Sequence, residues 1–411
     1  MLDIQKIRDN KKEVKKALLK RLDRVNLNEI IILDDKRKKI ILEVEELKSK
    51  RNKASKTKPD TKIIKEMKSL GQNIKKIEKK LNEIEKKLNE KLIVLPNIPA
   101  DDVISGGKEN NRVIASYGKK IKFKFKIKDH VDLATSLKLI DYKRGVKMSG
   151  TGFWVYKDEG ALLEWALLNY FIDFHRKNNY IFLIPPFMLT EESAYISGHL
   201  PKFRDDLYWT QDKLCLNATS EMMLGNYHRN EIIDENKLPI KYYAFSSCFR
   251  REAGAYRKEE RGMIRGHQFN KIEMFQFVKP NNSWNAFEEL LKNAQELLKG
   301  LDLHYKTVQL AAKDSSAAMA KTIDLEVYIP SMNTYKEVSS ISNALDYQSR
   351  RGNIRFKEKE SNKNKFVHTL NASGLASSRI IPAILEQNQQ KDGSVKIPKV
   401  LQKYIGKKVL K

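Results

Sequence analysis

Residues 248–277 read CFRREAGAYRKEERGMIRGHQFNKIEMFQF. Strand-like apolar runs enter and leave this segment, and the polar loop between them contains Arg257, Lys258, Arg261 and Arg265. Arginines near a strand end suit a polyphosphate, because the planar guanidinium binds two phosphate oxygens at once. Glu252 and Glu273 indicate a second ligand, cationic or amine-bearing, beside the phosphates. An ion-paired surface hairpin is the competing interpretation of this segment taken alone.

Short apolar runs separated by turns extend outward from this segment in both directions. They predict strands at 180–184, 241–247, 271–278, 324–329 and 366–370, and helices at 158–178, 283–300 and 375–388. A further strand is predicted at 122–128, where Lys alternates strictly with Phe or Ile. Strands that follow one another with few strand–helix–strand alternations favour an antiparallel sheet with helices packed against it, an α+β fold.

The N-terminal quarter has a different pattern, a heptad repeat on a long helix. Apolar residues alternate in steps of four and three at Ile63, Met67, Leu70, Ile74, Ile77, Leu81, Ile84 and Leu88. A looser apolar stripe over 33–47 predicts a second helix, and Pro59 lies in the polar stretch between the two. We therefore predict an antiparallel helical hairpin, preceded by one or two short basic helices in residues 1–26.

The hairpin divides the chain into two predicted domains. Residues 101–119 contain Gly106, Gly107 and scattered polar groups, which predict a linker. The N-terminal helical domain is accordingly placed at 1–105 and the sheet domain at 106–411. Near the predicted turn, the hairpin is rich in basic residues, including Lys48, Lys50, Arg51 and Lys53. These cations suit an RNA backbone, and they equally suit the solvated outer face of a dimerisation coiled coil.

Composition restricts the class of protein. The chain has 411 residues and a net charge of +27, and its first hundred residues carry 29 Lys+Arg against 16 Asp+Glu. This excess favours a polyanionic partner, although a Lys-rich genome would produce it too. Two cysteines, Cys215 and Cys248, provide neither a disulfide framework nor a zinc site. No apolar window is long enough for a membrane span, and no N-terminal leader is evident, so we expect a cytoplasmic protein with no membrane partner.

At this point the central segment shows a family resemblance. Motif 2 of the class II aminoacyl-tRNA synthetases, in its serine-specific form, resembles this chain at Phe249-Arg250-x-Glu252, Arg265-x-His267-Gln268-Phe269 and Glu273. The resemblance implies that Arg250 binds the α-phosphate and the serine carboxylate. It implies that Glu252 contacts adenine, that Arg265 holds the γ-phosphate and that Phe269 stacks on the adenine ring. Glu273 would bind the substrate's ammonium or hydroxyl group, and Arg251 belongs to the implied ATP-binding set.

Two further segments follow in the order that this family requires. Thr219-Ser220-Glu221 resembles the family's serine-binding loop, although alone it would also be an ordinary helix N-cap. Residues 337–340, Glu337-Val338-Ser339-Ser340, resemble an ATP-binding segment. The resemblance implies that Glu337 and Ser340 are the Mg²⁺ ligands. A carboxylate, a hydroxyl and phosphates are how proteins commonly hold Mg²⁺ beside a nucleotide.

Motif 3 of the same family resembles residues 368–386, HTLNASGLASSRIIPAILE. The resemblance implies that Ser373 contacts serine and that Arg379, at the start of a helix, contacts the γ-phosphate. The family usually has Gly at the positions of Ala372 and Ser378. An added Cβ at a close-packed turn could shift Arg379 or narrow the pocket.

The resemblance spans essentially the whole chain and implies a fold and a reaction. The fold would be the class II synthetase sheet with a tRNA-binding helical arm. The reaction would activate serine with ATP and Mg²⁺ and transfer it to serine tRNA, and the family also includes selenocysteine tRNA as a substrate. Residues 183–187, LIPPF, resemble motif 1, a dimer element, so a homodimer is expected. Another class II synthetase, a non-catalytic homologue and a helical RNA-binding protein are the alternatives.

Overall fold

The computed structural model describes residues 1–54, 61–252 and 262–411. The predicted turn at Pro59 and the loop cations Arg257, Lys258 and Arg261 lie outside the described residues. The chain forms two compact units, Met1–Ile98 and Pro99–Lys411.

The first unit is helical. Its α-helices are α1 (Ile4–Asp9), α2 (Lys11–Leu18), α3 (Asn28–Ala54) and α4 (Thr61–Ile93). α3 and α4 are antiparallel, since Glu29 at the start of α3 pairs with Lys91 near the end of α4 at 3.0 Å, and Lys48 pairs with Glu78 at 2.8 Å. Apolar residues of both helices form the contact between them, with Val44 of α3 and Ile74, Ile77 and Leu88 of α4 buried. The predicted helical arm is thus confirmed.

The short helices are fixed to α3 by an ion pair. Arg8 of α1 donates to the buried carboxylate of Asp34 at 3.0 Å, and Arg37 donates to the same carboxylate at 2.8 Å. Two cations on one buried carboxylate compensate the loss of its hydration. Ile7 of α1 and Leu18 of α2 are also buried. The base of the arm therefore combines a small apolar cluster with a charged contact.

The second unit is built on strands. In chain order they are β1 (Arg112–Tyr117), β2 (Ile140–Asp141), β3 (Val155–Tyr156), β4 (Ile181–Leu183), β5 (Met188–Thr190), β6 (Leu214–Leu216), β7 (Ile232–Asp234), β8 (Ile240–Phe249), β9 (Gln268–Val278), β10 (Tyr305–Gln309), β11 (Lys321–Ile329), β12 (Thr334–Leu345), β13 (Arg355–Lys357), β14 (Asn364–Phe366), β15 (His368–Ala376), β16 (Val395–Lys396) and β17 (Val409–Leu410). Eight of them form one sheet in the order β1-β10-β11-β12-β15-β9-β8-β4. Every neighbouring pair in it is antiparallel except β4 with β8. The predicted antiparallel sheet is confirmed, with one parallel edge strand.

Helices pack against this sheet. The α-helices of the second unit are α5 (His130–Ser136), α6 (Tyr142–Ser149), α7 (Glu159–Lys177), α8 (Glu191–Ile196), α9 (Glu221–Leu224), α10 (Ser283–Gly300), α11 (Tyr347–Gly352), α12 (Ser377–Gln387) and α13 (Gln402–Ile405). The core joins Leu290 of α10 and Ile384 of α12 to Ile341 and Leu370 in the middle of the sheet. The apolar faces of α7, α10 and α12, the three longest helices of this unit, are buried in this core, which holds the central strands in place.

Two predictions about the region after the arm are wrong. Residues 122–128, all described, form no strand: the chain bends at residues 124 and 125, and Phe123 packs edge-on against Phe125 at 5.3 Å between ring centroids. An alternation of polar and apolar residues reflects which side chains are covered by the rest of the protein. It can occur in a segment that has no hydrogen-bonded neighbouring strand. The predicted linker 101–119 contains β1, which pairs with β10. β1 is an edge strand with mostly exposed side chains, so it carries no apolar alternation.

Candidate active site

The candidate site includes residues that follow β8 and precede β9, where the two strands of this hairpin separate. Arg250 follows the last residue of β8, and its backbone N–H donates to the carbonyl of His267 at 2.9 Å. The ring of His267 lies against the carbonyl of Arg250 at 3.0 Å. Glu252 has φ 49°, a left-handed conformation that turns the chain out of the strand. This backbone places Arg250 and Glu252 beside β9, within reach of Arg265.

Three arginines converge on one cleft. Its lining includes Arg250, Glu252, Arg265, Phe269, Glu337, Val338, Ser373 and Arg379. Arg265 Nε donates to Glu252 at 2.9 Å, and the Arg250 guanidinium lies 5.3 Å from the Phe269 ring centroid. Arg379 Nη1 donates to the backbone carbonyl of Glu337 at 2.7 Å. The cleft thus combines an aromatic face with three guanidinium groups, a combination suited to a base and a polyphosphate.

A larger cavity of about 530 Å³ adjoins this cleft. Its lining includes Thr219, Glu221, Arg250, Lys271, Glu273, Asn371 and Ser373. Lys271 is buried, pairs with Glu273 at 2.5 Å and donates to the Thr219 hydroxyl at 2.6 Å. Asn371 donates to the second oxygen of Glu273 at 3.1 Å. This network fixes a small, polar, desolvated pocket of the kind that discriminates by hydrogen bonding.

Lys271 is a site residue that the sequence analysis missed. It lies two positions before Glu273 on β9, so both side chains are on one face of the strand. That spacing could have identified it as the charge partner of Glu273. The pattern alone gives no indication that a lysine is buried with its carboxylate, because lysines are usually exposed.

Electrostatics in the pocket are set by burial. Burial, together with the nearby charge of Glu273, raises the pKa of Glu221 to about 7, although Gln348 donates to its carboxylate at 2.7 Å. Burial and the neighbouring cations Arg250 and Lys271 lower the pKa of His199 to about 3. His199 is therefore neutral near pH 7, while Glu221 is poised between its two protonation states. A cationic ligand would favour the ionised form of Glu221.

Some predicted site residues do not present their side chains to these cavities. Ser220 is buried against Ser246, with 2.7 Å between the hydroxyl oxygens. Ser339 donates to the carbonyl of Ser373 at 2.5 Å. Arg251 is exposed and donates to the carbonyl of Asp205 at 3.3 Å. Each of these side chains supports the walls of the site or faces away from it.

The predicted magnesium ligands lie at the acidic edge of the cleft. Asp324 on β11 is opposite Ser340 on β12, and Glu326 is opposite Glu337. Asp324 is buried, and one of its oxygens has no hydrogen-bond partner. Burial and the charge of Glu337 raise the pKa of the Asp324 carboxyl well above its ordinary range. The described residues form no preassembled cluster of three metal-binding side chains. These oxygens nevertheless fit a hard cation that also binds phosphate.

The two departures from the family's glycines are accommodated. Ala372 lies in β15, in register with Ile341 on one side and Met274 on the other. Ser378 is in the first turn of α12. Neither residue has a positive φ, so the added Cβ causes no backbone strain. Arg379 still faces the shared cleft.

The basic residues of the arm lie on the last turns of α3. Lys48, Lys50 and Lys53 are exposed, and Arg51 is half-buried. Lys48 has Glu78 as a partner, as described above. In the ranges 1–54, 61–252 and 262–411, no helix has the length and apolar character needed to cross a bilayer.

Comparison with known proteins agrees with both units. The family model of the seryl-tRNA synthetase N-terminal domain matches residues 1–99. The model of the class II tRNA synthetase core domain for G, H, P, S and T matches residues 202–388.

Individual relatives match over the full length. The chain is 53% identical to serine–tRNA ligase 2 of Clostridium acetobutylicum, over 99% of each sequence. Among solved structures, seryl-tRNA synthetase from Pyrococcus horikoshii, complexed with ATP, has a TM-score of 0.92 at 35% identity, covering 100% of this chain and 99% of that one. Cytoplasmic serine–tRNA ligase from Naegleria fowleri, in complex with AMP, has a TM-score of 0.89 at 31% identity with the same coverage.

Proposed function

The chain belongs to the seryl-tRNA synthetase family, and from this premise we propose how its residues divide the work. The reaction is the ATP-dependent activation of serine and its transfer to tRNA-Ser. The convergence of Arg250, Arg265 and Arg379 on one cleft, directly beside a buried polar pocket, is the observation that carries the proposal. The cleft takes ATP and the pocket takes serine.

Activation needs the two substrates in line. A serine carboxylate oxygen attacks the α-phosphorus, a new O–P bond forms, and the bond to the β-phosphate oxygen breaks to release pyrophosphate. Arg250 lies at the boundary between the pocket and the cleft, so its guanidinium stabilises the charge that grows on the α-phosphate. Arg265 and Arg379 hold the γ-phosphate in a bent conformation, and Phe269 supports the adenine. Positioning and electrostatics suffice, so the mechanism requires no general base among the described side chains.

Serine recognition falls to the buried network. Glu273 and Glu221 bind the ammonium group, and Thr219 and Ser373 contact the small polar side chain. Thr219 Oγ1 already accepts hydrogen bonds from Lys271 and from the backbone N–H of Glu221, so its own hydrogen is left to donate to the substrate. An amino acid without a hydroxyl leaves such a group unpaired, which penalises its binding.

Glu337 and Ser340 would hold Mg²⁺, with Asp324 beside them. The ion supplies charge neutralisation to the phosphates when bound. The unpartnered oxygen of Asp324, described above, supports this placement because a nearby cation would compensate its burial.

The second step uses the helical arm. The 3′ ribose hydroxyl of tRNA attacks the carbonyl carbon of the adenylate, and AMP leaves. Lys48, Lys50, Arg51 and Lys53 contact the tRNA backbone, which assigns tRNA binding to the N-terminal domain and chemistry to the sheet domain. The working compartment that we propose is the cytoplasm.

The enzyme works as a homodimer. α7 and the chain around motif 1 expose a set of apolar side chains, namely Leu162, Trp165, Ile181, Ile184 and Met188. Side chains of this size are rarely left in water in such numbers unless a partner covers them. β4 is also an unpaired edge of the sheet, and a second copy would protect it.

Serine-dependent ATP–pyrophosphate exchange tests the proposed function. We expect exchange with serine and none above background with glycine or alanine, because these lack the hydroxyl group. Threonine, which retains the hydroxyl but adds a methyl group, should be weaker by about 10- to 200-fold. Equal exchange with all four amino acids would contradict the assigned pocket.

Serine binding should depend on pH through Glu221. Below pH 7 the buried carboxyl holds a proton, and it must release that proton to receive an ammonium group. The KM for serine should therefore fall as pH rises through about 7, by up to about tenfold per unit on the acidic side. Glu221→Gln should raise the KM and abolish this dependence. A wild-type KM that does not change between pH 6 and pH 8 would contradict the role of Glu221.

A further inference from the structure

A buried carboxyl joins three elements around the ATP cleft. Glu164 on α7 is 3% exposed, and its Oε1 lies 3.0 Å from Asn270 Nδ2 on β9 and 2.7 Å from Ser377 Oγ in the first turn of α12. None of the roles proposed above uses these three residues. They lie, however, directly behind the residues that would hold ATP.

The neighbours of this network define what it positions. Asn270 lies between Phe269, the adenine platform, and Lys271, the partner of Glu273. Ser377 precedes Arg379 by two residues on α12. Any change in the spacing between Asn270 and Ser377 therefore changes the spacing between the adenine platform and the γ-phosphate arginine.

The number of hydrogens available around Ser377 favours a protonated Glu164. Ser377 Oγ is 2.7 Å from Glu164 Oε1 and 3.0 Å from the backbone carbonyl of Asn270, yet a serine hydroxyl has one hydrogen. Ser247 Oγ donates to Asn270 Oδ1 at 2.8 Å, which directs the Nδ2 end of that amide to Glu164. If Glu164 carries the proton, it donates to Ser377, and Ser377 donates to the Asn270 carbonyl. Each contact of Glu164 Oε1 and Ser377 Oγ is then a hydrogen bond, while the buried Oε2 of Glu164 has no hydrogen-bond partner among the described residues.

We propose that Glu164 is a positioning residue of the ATP site which, in its protonated form, ties β9 to the first turn of α12 and so sets the separation of Phe269 and Arg379. The proposal rests on the proposed function, since it requires ATP in this cleft. It assigns Glu164 no contact with the substrate.

The surroundings of Glu164 support a neutral carboxyl. Burial raises its pKa to about 7. The titratable group that faces it is the buried phenol of Tyr156 from β3, and Tyr142 of α6 lies near that phenol. Above pH 7 the ionised carboxylate takes the Ser377 hydrogen from the Asn270 carbonyl, and one link between β9 and α12 is lost. Affinity for ATP should fall accordingly.

The test is the KM for ATP in pyrophosphate exchange, at saturating serine, for wild type and Glu164→Gln. Glutamine is neutral at every pH, so the ratio of the wild-type KM to the variant KM should rise about fivefold to tenfold from pH 6.5 to pH 8.5. The ratio cancels the ionisation of ATP itself. A packing role alone would give a constant ratio, and that result would overturn the proposal.

A second variant keeps the test decisive if Glu164→Gln folds poorly. Ser377→Ala retains the carboxyl but removes the link, and it should raise the KM for ATP about fivefold while leaving the KM for serine within twofold. Glu159→Gln is the matched control, since Glu159 begins the same helix and pairs with Lys407. An unchanged KM for ATP in Ser377→Ala would overturn the proposal. Absence of any serine-dependent exchange in wild type would instead contradict the proposed function.

Discussion

Replacing Arg250 with Gln should lower kcat for serine-dependent pyrophosphate exchange by about 10²- to 10³-fold. The Arg250 guanidinium lines both the serine pocket and the ATP cleft, so it is the cation placed where charge grows on the α-phosphate. Glutamine retains much of the length but loses the charge and the paired donors. Since the interaction is strongest in the transition state, the KM values for ATP and serine should change much less than kcat.

Arg144→Gln is the matched control for this experiment. Arg144 is 77% exposed and pairs with Asp141 on the surface. The same change of charge there should leave kcat within twofold. A loss in Arg250→Gln that falls entirely on the KM values would show that Arg250 binds ground-state substrate only, which would contradict its proposed place at the reaction centre.

Removing four positive charges from the arm should lower kcat/KM for tRNA charging by about 10- to 100-fold and leave pyrophosphate exchange unchanged. The variant replaces Lys48, Lys50, Arg51 and Lys53 with Gln. These residues belong to the unit Met1–Ile98, whereas the proposed chemistry lies within Pro99–Lys411. Each lost phosphate contact should also reduce the steepness of the salt dependence of tRNA charging.

A control with the same loss of charge separates a specific contact from the overall field of a basic protein. Lys391, Lys396, Lys399 and Lys408 are exposed in the second unit, and their replacement with Gln should change charging by less than about threefold. If both quadruple variants lose charging equally, the arm has no special role. If the arm variant loses exchange as well, the proposed division of labour is wrong.

The fold was predictable where burial follows a period. The 4-3 spacing from Ile63 to Leu88 identified the arm, and largely apolar runs identified the strands β8, β9 and β11, whereas β12 in the middle of the sheet was not predicted. The edge of the sheet was not predictable, because the exposed side chains of β1 carry no periodic signal and its position depends on hydrogen bonds to β10. The strand predicted at 122–128 was wrong for the opposite reason: the residues alternate, but no neighbouring strand in the described part of the chain pairs with them.

The site was predictable in its residue types and less so in its connections. The motif spacing identified Arg250, Arg265 and Arg379 as site residues. The fold brings all three to one cleft, although more than a hundred positions separate the last two. The burial of Lys271 and the hydrogen-bond network of Glu164 depend on which strands and helices become neighbours. Sequence spacing does not contain that information, because α7, β9 and α12 are far apart along the chain.

A crystal structure of the enzyme with ATP and serine would show whether the three arginines surround the nucleotide. We predict a single bent nucleotide with its adenine on Phe269, its α-phosphate within about 3 Å of the Arg250 guanidinium and its γ-phosphate between Arg265 and Arg379. Serine should lie in the adjoining pocket against Glu273. A nucleotide whose phosphates contact none of these three guanidinium groups would contradict the account.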